Sequence, residues 1–136
     1  MAYPAYSVKY DKSNPTKMYS KAYKMIDKGQ YSKAQKILKN YTKSEPEDPD
    51  GWTLLAFTCR KLDKFAESEE YYLKALNLEP DNKAALEYQG ELFIETNRID
   101  LANANIKKLQ NLCPNSCEEL EKLQSYLLDQ SSKSNI

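Results

Sequence analysis

The sequence predicts an all-α fold in which three helix pairs of 34 residues stack in tandem and a seventh helix closes the end. Three observations predict it. Pro46, Pro80 and Pro114 stand 34 residues apart each time. Columns of small and of bulky residues keep the same register. Only three Gly occur in 136 residues, while Lys, Leu, Ala and Glu abound, a composition that suits helices and not a turn-rich β fold.

The small columns are Ala22, Ala56 and Gly90, then Ala34, Ser68 and Ala102. Small side chains at those places let two helix backbones come into contact. The bulky columns are Tyr31, Phe65 and Ile99; Leu38, Tyr72 and Ile106; Met18, Trp52, Leu86 and Leu120; and Met25, Cys59, Phe93 and Leu127. These fill the space between neighbouring helices.

Gly29, Asp63 and Asn97 mark the turn inside each pair, as residues that tolerate a left-handed backbone. Asn14, Asp48, Asn82 and Ser116 recur as helix N-caps, with Pro15 and Pro49 at first helical positions. Ser116 with Glu119 reads as a capping box. The boundaries that follow are an irregular N-terminal segment over 1–14, repeats over 15–48, 49–82 and 83–116, a capping helix over 117–129 and a disordered tail over 130–136. Helices fall near 16–28, 31–44, 49–62, 65–78, 83–96 and 99–112. The capping helix has Leu120, Leu123 and Leu127 on one face for the last repeat, and Glu118, Glu121 and Asp129 on the others for solvent.

The formal net charge is zero, yet residues 1–44 hold ten Lys against Asp11 and Asp27, a net of +8. Residues 45–136 hold ten Lys and Arg against eighteen carboxylates, a net of −8. The chain is therefore expected to be a strong dipole along its length. The lysines at 17, 21, 24 and 28, and at 33, 36, 39 and 43, read as solvated helix faces. No nucleic-acid-binding motif accompanies them, so base-specific readout is not expected. There is no histidine, which removes the commonest general base and metal ligand. No nucleophile–base constellation is visible either, so neither an enzyme, a cofactor nor a metal site is expected. No stretch reaches the ~18 apolar residues of a membrane span. The segment from Met1 has no apolar h-region of a signal peptide.

The columns resemble the tetratricopeptide repeat. Its pattern is matched by Trp52, Leu55, Ala56, Asp63, Phe65, Ser68, Tyr72, Ala75 and Pro80, by Gly90, Ile99, Ala102 and Pro114, and by Ala22, Gly29, Tyr31, Ala34, Leu38 and Pro46. The first repeat departs at Lys21, where Leu55 stands in the second, and at Tyr41, where Ala75 stands. The resemblance implies a right-handed α-solenoid whose first helices line a concave groove. Three groove rows follow from it: Tyr19, Thr53 and Glu87; Tyr23, Phe57 and Glu91; Ile26, Arg60 and Ile94, with Lys61 and Glu95 at the edge. Such a groove is aromatic at its N-terminal end, cationic in the middle and acidic beyond. An extended or helical peptide with apolar anchors and a basic end complements it. Some members clamp acidic C-terminal tails with Lys, Asn and Arg; Tyr19, Tyr23, Leu54, Ala84 and Tyr88 stand at those places here, so that partner class is not expected.

The expected function is therefore a non-enzymatic protein- or peptide-binding adaptor. The alternatives are self-assembly of the basic half on the acidic half of another copy, and binding of a small molecule or lipid headgroup at the aromatic end. Tyr3, Tyr6 and Tyr10 are candidates to dock on the groove. Cys113 and Cys117 flank a Pro-Asn-Ser turn; a disulfide there pins the last helix, with free thiols or a redox pair as alternatives. Cys59 reads as a buried small hydrophobe. The runs Leu86–Phe93 and Cys113–Glu119 are similar to small exported tetratricopeptide proteins of proteobacteria with paired cysteines. That narrower likeness implies a periplasmic location, with a cytoplasmic one as the alternative.

Overall fold

The computed structural model describes residues 14–134, and among them it holds seven helices and no strand. They are α1 (Pro15–Asp27), α2 (Tyr31–Ser44), α3 (Pro49–Lys61), α4 (Phe65–Leu78), α5 (Lys83–Glu95), α6 (Ile99–Leu112) and α7 (Glu118–Ser134). The expected irregular segment over 1–14 and the docking of Tyr3, Tyr6 and Tyr10 lie outside the described residues, save for Asn14. Consecutive helices pack on each other, α3 also touches α5, and α5 touches α7. This is a helical-repeat solenoid. No helix among the described residues is long and apolar enough to cross a membrane.

The helix ends follow from residue chemistry. Asn14, Asp48 and Asn82 have extended backbones, and their side chains accept from the N–H groups of Lys17, Asp50 and Ala85. Each satisfies one donor that has no partner inside the helix. Gly29, Asp63 and Asn97 take φ values of +73°, +60° and +61°, which reverse the chain between the helices of each pair. Ser116 does not act as the fourth cap. Its φ is +80°, and the first bond of α7 runs from the Glu121 N–H to the Cys117 carbonyl, so Cys117 takes the capping place. The last helix also exceeds its expected limit and runs through Ser134. No Gly or Pro follows Asp129 to stop it, and Lys133 suits the negative end of a helix.

The small columns do what close helix contact requires. Ala22, Ala34, Ala56, Ser68 and Ala102 have no exposed surface. The Ser68 hydroxyl donates to the Ala56 carbonyl at 2.7 Å, so a polar member of one column ties α4 to the other column on α3. Gly90 meets α7: an added Cβ would lie 2.6 Å from a methyl of the buried Leu123. Tyr41, the departure in the first repeat, is accommodated by another glycine. A Cβ on Gly51 would lie 2.6 Å from the Tyr41 ring, whereas the second repeat pairs Ala75 with Ala85 at the same two places. The Tyr41 hydroxyl then donates to the Asp48 carboxylate. Lys21, the other departure, is exposed.

The core is a string of three clusters. One joins Ala22, Ala34 and Leu38 to Leu55 and Cys59. A second is Ala56, Tyr72 and Leu92. The third joins Leu86, Phe93, Ile106 and Leu109 to Leu120 and Leu123 of α7. Cys59 is free and fully buried. Trp52 is only partly buried: its ring lies 5.7 Å from that of Tyr71, the Lys74 ammonium sits 4.5 Å above it, and its N–H donates to the Pro46 carbonyl at 2.7 Å. A fully interior place would put the cost of truncation at about 3–5 kcal/mol; partial exposure lowers it. Trp52→Ala is therefore expected to destabilise by about 2–3 kcal/mol in urea unfolding. An unchanged midpoint would show that the indole holds nothing between α3 and α4.

Candidate functional site

The groove rows lie on α1, α3 and α5, and the structure divides them into an open aromatic half and a covered acidic half. In the open half, Tyr23 is 53% exposed. Tyr19 is partly covered, its ring centroid 5.3 Å from that of Tyr41. Burial, then the nearby Asp50 and Asp48 carboxylates, push its phenol up to about 12. Phe57 is not left in water: its ring lies 5.0 Å from that of Tyr88. The Arg60 guanidinium and the exposed Lys61 ammonium lie over it at 5.3 and 5.5 Å. Tyr88 is therefore part of this surface, although the groove rows omit it.

Other expected groove residues are buried in whole or in part. Thr53 is buried, with its hydroxyl donating to the Pro49 carbonyl at 2.8 Å. Ile26 packs on the first core cluster, and Ile94 belongs to the third. Arg60 is the main correction. The sequence places a free cation in mid-groove, but the side chain is 1% exposed and donates to Glu91 at 2.9 Å and to Glu95. The guanidinium thus joins α3 to α5. Removing one partner of a buried pair leaves an uncompensated charge. A substitution at Arg60 therefore reads stability and not attraction of a ligand.

Helix α7 accounts for the covered half. Leu123 packs on Gly90, and the Tyr126 hydroxyl donates to Glu95 at 2.7 Å. One oxygen of Glu95 thus receives both Arg60 and Tyr126. Between α5 and α7 lies a cavity of about 380 Å³ lined by Glu87, Glu91, Glu121, Lys122, Ser125, Tyr126 and Asp129. Adding 34 to 87, 91 and 95 gives 121, 125 and 129. One further turn of the repeat ruler would have placed those α7 residues on the groove. Lys122 is held by Glu118 at 2.6 Å.

Glu87 and Glu91 are both buried. Burial first, and then the hydrogen bond and charge of Glu91, push the Glu87 carboxyl well above the ordinary carboxylate range. Burial thus favours the neutral form of the Glu87 carboxyl. At the far end, Cys113 and Cys117 are joined in a disulfide with α-carbons 5.9 Å apart, which ties the end of α6 to the start of α7. Among the described residues no acidic or cysteine cluster is arranged to hold a metal ion.

A family model described as "Anaphase-promoting complex, cyclosome, subunit 3" matches residues 2–75, more than half of the chain. The chain belongs to this tetratricopeptide-type family. No curated protein matches the sequence. Solved tetratricopeptide structures match the whole stack. The type III secretion translocator chaperone SycD of Yersinia enterocolitica is 16% identical, with a TM-score of 0.76 over 90% of this chain and 95% of that one. The first repeat domain of Spaghetti (RPAP3), bound to the HSP90 peptide SRMEEVD, is 20% identical, with a TM-score of 0.74 over 86% and 93%. The TPR2B domain of yeast Sti1, in complex with pHsp70, is 18% identical, with a TM-score of 0.73 over 88% and 97%. At these identities the likeness shows the tetratricopeptide fold.

The raised Glu87 carboxyl has a measurable consequence. The folded chain holds the Glu87 proton more tightly than the unfolded chain. Below about pH 4.5, the ordinary value, both states carry it. As pH rises further the unfolded chain releases it first, so this site lowers stability through the neutral range. Glu87→Gln keeps the shape and removes the titration. The variant is expected to melt a few degrees above wild type at pH 7–8 and to lose that advantage near pH 4. A melting difference that does not change with pH would place the proton elsewhere.

Proposed function

We propose that this tetratricopeptide protein is a non-catalytic adaptor that binds a protein or peptide along the open half of its concave face. The observation that carries the reading is the aromatic run from Tyr23 through Phe57 to Tyr88, with Lys61 beside it. Aromatic surface on rigid helices recognises partners at a low entropic cost, since few side-chain torsions must be fixed. Two structural neighbours are peptide or partner complexes by their own descriptions, which supports this use of the fold. The acidic SRMEEVD peptide of one of them is a poor guide to the ligand here. Tyr19, Tyr23 and Tyr88 stand where a cationic clamp is needed, and Arg60 is consumed by Glu91 and Glu95. Apolar anchors followed by a basic residue fit the surface better, because it runs from aromatic to acidic.

Tyr23 is the residue to test, because it is half exposed while Phe57 also supports Tyr88. Tyr23→Ala is expected to fold with stability within about 0.5 kcal/mol of wild type. It is expected to lose about 2 kcal/mol of partner affinity, roughly 30-fold. Partners recovered from the source cell by wild type and variant, compared by quantitative mass spectrometry, decide it. Equal recovery of every partner would move the working surface off the concave face.

An oxidising compartment, such as the periplasm, is the proposed location, on the strength of the Cys113–Cys117 bridge. Native protein alkylated without reduction is expected to show one reactive thiol after unfolding, that of Cys59. Three would favour a reducing compartment.

A further inference from the structure

We infer that the free flank of α7 is an interaction surface for a second copy of this chain, whose α1 continues the stack on it, head to tail. This end contact is a second use of the fold, beyond the groove. Leu128 points to it. At 67% exposed it is the most open large apolar side chain among the described residues, and Tyr23 on α1 follows at 53%. Leu128 extends the row of Ile26, Arg60 and Ile94, which stand at one place in the three repeats. Arg60 and Ile94 are buried: α5 meets Arg60 through Glu91 and Glu95, and Ile94 lies in the cluster that α7 closes. Among the described residues no helix follows α7 to cover Leu128. A place that two preceding repeats bury against the next helix is open here, and open apolar surface at such a place suits another helix.

The repeat register selects the helix that fits. Between α3 and α5, Arg60 meets Glu91; between α5 and α7, Gly90 meets Leu123 and Glu95 meets Tyr126. Carried one step past α7, these pairings set a second copy's Tyr23 against Leu128, its Lys21 against Gln124 and its Lys24 against Asp129. The two most open apolar side chains then cover each other. Asp129 receives an ammonium at the place where Glu95 receives a hydroxyl. Lys21, Lys24 and Asp129 are all exposed, and none makes an ion pair among the described residues.

Charge favours this occupant over the others. Helix α1 presents exposed Lys17, Lys21 and Lys24, with Lys28 just past its end, while α7 presents exposed Glu118, Glu121 and Asp129. Residues 1–44 carry a net +8 and residues 45–136 a net −8, so α7 repels another α7 and attracts α1. The contact is heterologous: each copy offers one flank and accepts on the other, so copies add in a row. One helix against one helix buries less than a standard interface, so the association is weak and shows at high concentration and low salt.

The test is static light scattering of the full chain and of two end variants. Wild type is expected to exceed the 15.7 kDa monomer at about 0.5 mM protein in about 20 mM salt, and to return to it in about 500 mM salt. Leu128→Glu spoils the α7 flank; Lys21→Glu with Lys24→Glu spoils the α1 flank. These sites are exposed, so both variants are expected to keep the wild-type melting curve. Asp129→Lys replaces Leu128→Glu should the latter melt early. Tyr23 stays unchanged throughout, so a loss here is not a loss of a groove partner. Each variant alone is expected to self-associate at least about tenfold more weakly than wild type. Mixed in equal amounts they are expected to form a dimer that grows no further, because the sound α1 flank of one meets the sound α7 flank of the other. A wild type that stays monomeric in low salt, or single variants that assemble as wild type does, would overturn the inference. So would a mixture no larger than its parts, which excludes a head-to-tail contact.

Discussion

Close contact between helix backbones at a few small residues is the constraint on which this stack depends. Ala22 and Ala34, Ala56 and Ser68, and Gly90 and Ala102 occupy the same places in successive pairs. None of the five among them with a side chain shows exposed surface. With backbones that near, every larger side chain has a fixed depth, and the bulky columns have one way to fit. The chain also shows how a violation is absorbed. Tyr41 enlarges one contact, and Gly51 on the facing helix gives up its side chain to make room. The Asp48 cap then receives the extra hydroxyl. Substitutions at either place would have to be read as a pair.

The same geometry sets the concave face. Once α1, α3 and α5 stand side by side, their inner rows must either meet solvent or meet each other. Near α1 they meet solvent, as Tyr23 does. Between α3 and α5 they meet each other, and Arg60 is drawn in by Glu91 and Glu95. Buried ion pairs of this kind contribute less to stability than to specificity, since desolvation offsets much of the attraction. Here the pair fixes how α3 sits on α5, and so fixes the cradle formed by Phe57 and Tyr88. The aromatic surface and its support are one network.

Helix α7 has two roles in this arrangement. Its apolar side, Leu120 and Leu123, closes the core, as a terminal cap must. Its other side repeats the groove register and forms one wall of the acidic cavity. The disulfide at its start and the Tyr126 hydroxyl on Glu95 limit how far it can swing from α5. A wall held at its start and its middle helps keep Glu87 out of water. That burial is the main cause that raises its carboxyl above the ordinary range.

The sequence by itself determined the repeat, the helix order, the left-handed turns at Gly29, Asp63 and Asn97, and the caps at Asn14, Asp48 and Asn82. Each of these is a local property, set by backbone sterics or by a hydrogen bond a few residues long. It also assigned each groove candidate to a helix face, since a period assigns a face. Depth was decided by the tertiary structure. Tyr23 and Arg60 lie in neighbouring rows of one groove, yet one is open and the other sealed, because only the second has Glu91 and Glu95 within reach. Tyr88 joins the aromatic surface through its contact with Phe57, which no spacing announces. The length of α7 and the loss of the cap at Ser116 were likewise settled by what the last helix packs against. Periodicity describes one helix at a time; burial and charge depend on which neighbour covers it.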